Sequence, residues 1–299
     1  MVAQATESKY RAPRVAGGQP DLQGVWTNAW FTRLERPAEL KSLVLTPEDA
    51  SKAVAAYNTA TANDPVGQRE SEFWDIGPGF AEVRGQIRTS FIVDPPDGRL
   101  PFRPEITKQF HYDDPNYQRP MDNPEERTVT ERCVASEGGY PPNLNSPDGN
   151  FLLIQQTRGF VVLVAEKYND ARVVRMGDRK HAPAAVRSWA GDSVGWWEGE
   201  TLVVETTNFS AAGFSRFGRL KLSADANMIE RFTRTGPVGL LCEFMVTDPA
   251  VYTQPWRAEM PYRGAKGPLY EYACHEGNYF LRPALAHARD LERREAAGK

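Results

Sequence analysis

The sequence is sparing with the residues that announce a chemistry. Three cysteines (Cys133, Cys242, Cys274) in 299 residues are too few and too scattered for a disulfide framework or a zinc ribbon. The four histidines (His111, His181, His275, His287) form no H-E-x-x-H and no close ligand pair, so no metal site is expected. No G-x-G-x-x-G opens a strand–helix unit and no P-loop occurs, which argues against dinucleotide and nucleotide cofactors. Charge of either sign is not in excess: 36 Lys and Arg face 39 Asp and Glu, for a net −3, so a phosphate-backbone partner is not expected. No apolar run approaches the roughly 18 residues of a membrane span, and the mean hydropathy is −0.55.

What the chain does have is 40% hydrophobic residues, enough for a core, with 24 glycines and 23 prolines that suit short strands and turns. Residues 1–18 read as a flexible tail, and Ala3-Gln4-Ala5 resembles the end of a signal peptide. The expectation is a mature periplasmic or secreted protein whose leader has been removed, in which Cys133 and Cys274 are free to form one bridge. Leu22–Thr27 is the first strand candidate. Thr46-Pro47-Glu48-Asp49 starts a helical insertion near 47–60: a hydroxyl cap, proline at the first helical position and acids in the first turn. Ile87–Val93 is a short strand, and 94–150 reads as long loops.

From residue 151 the character changes. Phe151–Gln156, Phe160–Glu166, Ala171–Met176, Thr201–Asn208, Met228–Arg234, Leu240–Thr247 and Leu269–Cys274 are rich in Val, Ile, Phe, Tyr or Thr and bounded by Gly, Pro, Asn or Asp. Short gaps such as Thr157-Arg158-Gly159 imply hairpins, hence a mainly antiparallel meander. Seven or eight such strands without helical crossovers close into a barrel or fold into a sandwich. The fold expected is therefore all-β: one barrel-like domain over 19–282, followed by a C-terminal helix over 283–299.

Two long motifs, Gly191–Phe209 (GDSVGWWEGETLVVETTNF) and Tyr270–Asn278 (YEYACHEGN), join Pro20–Trp26 and Glu230–Thr233 in a resemblance covering most of 20–285. The chain resembles a group of exported bacterial β-rich proteins that carries no assigned reaction. Relatives in that group often place a histidine where this chain has Asn169, so no role carries over to that position. Gly24-Val25-Trp26 also looks like the lipocalin signature, which implies a closed barrel with the tryptophan plugging one end. Barrels of about eight strands can hold one small ligand in the mouth.

Several constellations carry possible chemistry. Gly191-Asp192-Ser193-Val194-Gly195 matches the G-x-S-x-G elbow, but no parallel sheet is expected to present the serine, and a turn in which Asp192 and Ser193 bond backbone amides is preferred. His275 beside Glu276 suits acid–base work, because histidine titrates near neutrality and a neighbouring carboxylate tunes it; the alternative is a strand-ending turn. His181 lies in a loop able to reach a barrel mouth. Glu230 shares a strand face with Met228 and Phe232: inward it is an acid or base in apolar surroundings, outward a solvated cross-strand partner. Glu205 is opposite in parity to Leu202, Val204 and Thr206 and reads as exposed. Trp196 and Trp197 are adjacent, so in a strand at most one faces a ligand.

The sequence therefore predicts an exported acid–base enzyme without cofactor, a lyase or hydrolase acting on a small apolar, aromatic or glycosidic molecule in a barrel cavity. The expected catalytic groups are His275, Glu276, His181, Asp192 and Glu230. Arg231, Tyr272, Trp196 and Trp197 are expected to bind substrate. The competing readings are a lipocalin-like binding protein using the same cavity and a surface-interaction module with a filled barrel.

Overall fold

The computed structural model describes residues 10–61, 77–108, 123–127, 129–135, 141–145, 151–210 and 220–298. Residues 1–9 of the expected tail, Lys299, and most of the loop stretch between 109 and 150 lie outside the described residues. The chain is mostly β, as its composition implies. Nine strands close on themselves: β1 (Gly24–Thr27), β6 (Phe151–Gln156), β7 (Phe160–Ala165), β8 (Ala171–Met176), β9 (Asp192–Glu198), β10 (Thr201–Thr207), β11 (Asn227–Gly236), β12 (Gly239–Thr247) and β13 (Trp256–Gly264), which pairs back to β1. Neighbours are antiparallel except β8 and β9, which run parallel. The loop 177–191 carries the chain from the end of β8 back to the start of β9 along the outside of the wall, and departs from a pure meander.

Beside the barrel, β5 (Ile92–Asp94) adds to β13, and β2 (Val44–Leu45), β4 (Gln86–Arg88) and β3 (Glu82–Val83) form a separate three-stranded sheet. Arg84, in the β3–β4 turn, reaches the barrel wall by bonding Glu243 at 2.8 Å and Glu259 at 2.7 Å, while Arg88 bonds Glu259 at 3.1 Å. Helix α1 (Pro47–Thr61) forms where the capping signal puts it: the Thr46 hydroxyl accepts the Asp49 N–H at 3.1 Å, satisfying an otherwise unpaired donor of the first turn. Helix α2 (Pro104–Thr107) is one turn long. After β13 come α3 (Cys274–Gly277) and α4 (Leu281–Ala296).

Two barrel strands and the short β2 and β3 escaped the sequence pattern, the strand expected over Ile87–Val93 splits into β4 and β5 in different sheets, and one expected strand does not form. β9 contains the stretch read as a turn, since Asp192 to Glu198 pairs along its length with β10. β13 was hidden by Pro261, which sits in the strand opposite Leu241. Leu269–Cys274 is not a strand, and α3 begins at Cys274.

The alternation of each strand sets the core. Leu152 and Ile154, Leu163, Leu202 and Val204, Met228 and Phe232, Phe244 and Val246, and Trp256 and Met260 point inward, each no more than 3% exposed. Trp26 also packs inside, donating its indole N–H to Leu22 O at 2.9 Å with the Arg234 guanidinium 5.5 Å from its ring centre. These side chains fill the lumen as a packed core. With so little exposure, these inward faces pack against one another where the sequence reading expected a hollow.

Candidate functional site

Glu230 points inward, flanked by Met228 and Phe232, and is 1% exposed. It does not stand alone among apolar neighbours. Arg172, inward on β8 and 3% exposed, reaches across the interior and grips it with both guanidinium nitrogens, Nη2 to Oε1 at 3.1 Å and Nη1 to Oε2. Arg172 Nη1 also donates to the Thr206 hydroxyl at 3.3 Å, and Thr206 shares a 2.8 Å bond with the Ser193 hydroxyl. Ser193 is therefore an inward strand residue, 2% exposed, with no nucleophile elbow around it. The cluster is closed to solvent and bidentate, which is how a buried charge is tolerated. Cys242 lies beside it, and burial pushes its thiol well above the ordinary value, with the Glu230 charge acting the same way.

A second cluster lies on the outside of the wall, where the register sets the residues in rows. Asp192 stands opposite Thr207, Val194 opposite Glu205, and Trp196 opposite Val203; on β11 the matching outward residues are Asn227, Ile229 and Arg231. Loop 177–191 folds over this face. Its path is fixed at several points. Asn208 donates to Ala182 O at 3.0 Å and Pro183 O at 3.2 Å, and Arg175 donates to Lys180 O at 3.0 Å. Gly191 turns into β9 at φ +70°, where a Cβ would lie 2.6 Å from Thr207 O, so only glycine fits.

The loop brings His181 down onto the wall. Its Nδ1 is 2.8 Å from Asp192 Oδ2, and its Nε2 faces Glu205 Oε2 at 3.6 Å. Asp192 also takes the Ala182 N–H at 2.9 Å and both Arg175 nitrogens, at 2.5 and 3.0 Å. Arg175, foremost, with the Ala182 amide and His181, holds the Asp192 carboxyl far below the usual carboxylate range against the opposing effect of burial. An acceptor held ionised in this way orients the imidazole, with Nδ1–H toward Asp192 and Nε2 toward Glu205. Glu205 takes the Asn227 amide N–H at 2.8 Å. The His181 and Glu205 side chains are 20% and 28% exposed, but the His181 Nε2 atom itself is buried beneath the loop and makes no hydrogen bond. The neighbouring row holds Trp196, with the Arg179 guanidinium 3.8 Å from its ring centre and its N–H bonded to Glu198 at 2.8 Å. Arg231 bonds the same carboxylate at 2.8 Å.

The structure thus brings together His181 and Asp192 on the outer wall, with Trp196 and Arg231 nearby. It separates them from the remaining expected residues. Glu230 is walled inside the barrel. Trp197 points inward opposite Leu202 and packs against the core. His275 and Glu276 are exposed on α3, because the strand that was to carry them does not form. Tyr272 stacks on Tyr168, ring centres 4.8 Å apart. Glu205, Arg175 and Asn227 were not among the expected site residues. The outward parity of Glu205 was legible, but its partner comes from a loop whose path no local pattern encodes. Cys133 and Cys274 are joined, with Cα atoms 5.7 Å apart. No cluster of three or more potential metal ligands occurs among the described residues. Comparison with protein-family models, curated proteins and solved structures finds no match, so the chemistry of the site rests on its own geometry.

Proposed function

We propose that the protein is an exported acid–base enzyme of lyase or hydrolase type whose proton-transfer pair is His181 and Glu205, on the outer wall of the barrel under loop 177–191. The observation that carries this reading is the Arg175–Asp192–His181 chain of bonds, which fixes one imidazole nitrogen and turns the other toward a carboxylate. A base oriented by a carboxylate is the arrangement general acid–base catalysis requires, and a 3.6 Å separation is of the kind that tightens when substrate arrives. In elimination or hydration, one of the two groups would take a proton from the substrate or from water and the other would return it to the leaving oxygen. In hydrolysis the same pair would activate water. Trp196, Arg231 and Asn227 lie on the same outer face; the Trp196 ring is covered by Arg179, its N–H and Arg231 are bonded to Glu198, and Asn227 is bonded to Glu205, so a small aromatic or glycosidic molecule would bind by exchanging with these contacts. The Cys133–Cys274 bridge supports export, since such bonds persist in oxidising compartments. A lipocalin-like binder would need an open lumen, and the packed interior favours the outer-wall site.

The test is a panel of p-nitrophenyl esters, p-nitrophenyl glycosides and β-hydroxy acids, assayed with the wild-type protein and with His181→Gln, Glu205→Gln and Glu276→Gln. The reading expects turnover that falls at least a hundredfold in the first two variants and is kept in the third. Turnover unchanged in His181→Gln and Glu205→Gln overturns it. Binding of a panel compound without any turnover would favour the binding-protein reading instead.

A further inference from the structure

We propose that the Cys133–Cys274 disulfide is the fastener of a redox-operated strap: the segment from Ala265 to the end of α4 is held on the barrel by that bond and is released when a dithiol reduces it. The idea stands independently of the acid–base reading. After β13 the chain contributes no further strand to the barrel. Among the described residues of 265–298 Ala288 alone is buried. A segment with so little apolar burial has little of the packing that stabilises the rest of the molecule, and such segments open at low free-energy cost.

Beyond the Ala265 N–H, which donates to Val25 O on β1 at 2.8 Å, contacts of the segment gather at two short stretches. At the corner between β7 and β8, Glu166 accepts the Tyr270 N–H at 3.3 Å, Asn169 exchanges bonds with the Tyr272 backbone at 3.2 and 3.4 Å, and Tyr168 stacks on Tyr272. At the stretch 127–133, Asn278 donates to Glu131 O at 2.8 Å, Arg127 lies 5.5 Å from the Phe280 ring centre, and the disulfide closes the contact. Tyr168 ties the two stretches together by donating to Thr130 O at 3.1 Å. The Asn169 and Tyr272 bonds are long and solvent-exposed, where water competes for each partner. The covalent link is what makes the set hold.

Both cysteines are half-buried, so a small or protein dithiol can reach them. A dithiol thiolate attacks one Sγ, forming a mixed disulfide and expelling the other cysteine as thiolate. The second thiol of the reagent then resolves the mixed disulfide, so that Cys133 and Cys274 end as thiols and the reagent as its own disulfide, two electrons having passed to the protein. Release uncovers the Glu166 carboxyl, whose burial holds it above the ordinary carboxylate range, and the face of Tyr168. Export into an oxidising compartment would close the strap.

Hydrogen exchange read by mass spectrometry tests this on the full-length protein, oxidised, treated with dithiothreitol, and as Cys133→Ser. The expected result is that amides of 265–282 exchange at least tenfold faster in the reduced protein and in the variant, while β11 to β13 keep their protection. The proposal is overturned if 265–282 exchanges at the same rate in both states. It is equally overturned if β11 to β13 lose protection in the same step, for the bond then stabilises the barrel as a whole. Treating the folded wild-type protein with dithiothreitol keeps the test decisive should Cys133→Ser fail to fold.

Discussion

Glu230→Gln is the most informative single perturbation of the interior. Gln keeps the volume of Glu and one acceptor for Arg172 but removes the charge. The guanidinium, 3% exposed, is then a buried cation that has lost the carboxylate gripping both its nitrogens, with the Thr206 hydroxyl still bonded to it. Breaking a buried pair on one side costs roughly 3–5 kcal/mol, because the surviving charge has lost its compensation while staying out of water. Unfolding entropy of about 2.1 cal/mol/K per residue gives roughly 0.6 kcal/mol/K for a chain of this length. The expected fall in Tm is therefore about 5–8 °C, read by circular dichroism at fixed scan rate. The double variant Arg172→Met, Glu230→Met removes both charges and leaves apolar groups of similar length among Met228, Phe232 and Phe244. It is expected to match the wild type or exceed it by up to about 4 kcal/mol, as buried pairs replaced together commonly do. A Glu230→Gln variant within about 2 °C of wild type would refute the reasoning, by showing that the pair is neither closed to water nor mutually compensating. A double variant as damaged as the single would refute it too, since the loss would then lie in packing rather than in an orphaned charge.

Two further outcomes follow from the charges and thiols. The Asp192 carboxyl is depressed in the folded protein, so its contribution to stability is fully present above the unfolded value, about pH 4, and is lost as pH falls below it toward the depressed folded value. Acid denaturation curves should accordingly lose part of their steepness below about pH 4 in Asp192→Asn, and identical curves would contradict the Arg175–Asp192 account. The Cys242 thiol is buried and pushed up, and the other two cysteines are bonded, so the native oxidised protein should not react with Ellman's reagent. Denaturant alone should reveal one thiol, and denaturant with reductant all three cysteines of the sequence. A reactive thiol in the native state would contradict the packed lumen.

Much of the barrel was legible because its strands are rich in Val, Ile, Phe, Tyr or Thr and bounded by turn residues. Phe151–Gln156, Ala171–Met176 and most of β11 and β12 stand out in this way, and Thr157–Gly159 is short enough to force a hairpin. β9 was missed because Gly191, Ser193 and Gly195 read as turn residues. In the fold Gly191 makes the turn, while Gly195 is a strand residue whose Cβ would lie 2.7 Å from Val174 Cγ1. Leu269–Cys274 carried strand-like composition but found no edge to pair with, since β13 already closes against β1. Composition proposes a strand and an available partner decides it. His181 and Asp192 were both legible as titratable candidates, yet nothing local placed them 2.8 Å apart.

By itself the sequence determined the class of fold, the helix at Pro47, the possibility of a bridge between Cys133 and Cys274, and which residues share a face in the strands it revealed. Those are consequences of short-range chemistry: turn residues, caps and a two-residue period. Only the tertiary structure decided which parity faced inward for Glu230, that Arg172 would meet it, and that the lumen would be filled. It also decided that loop 177–191 would lay His181 between Asp192 and Glu205. Closing nine strands into a ring brings residues 58 positions apart, such as Arg172 and Glu230, within bonding distance, and a separation of that length leaves no trace in a local pattern.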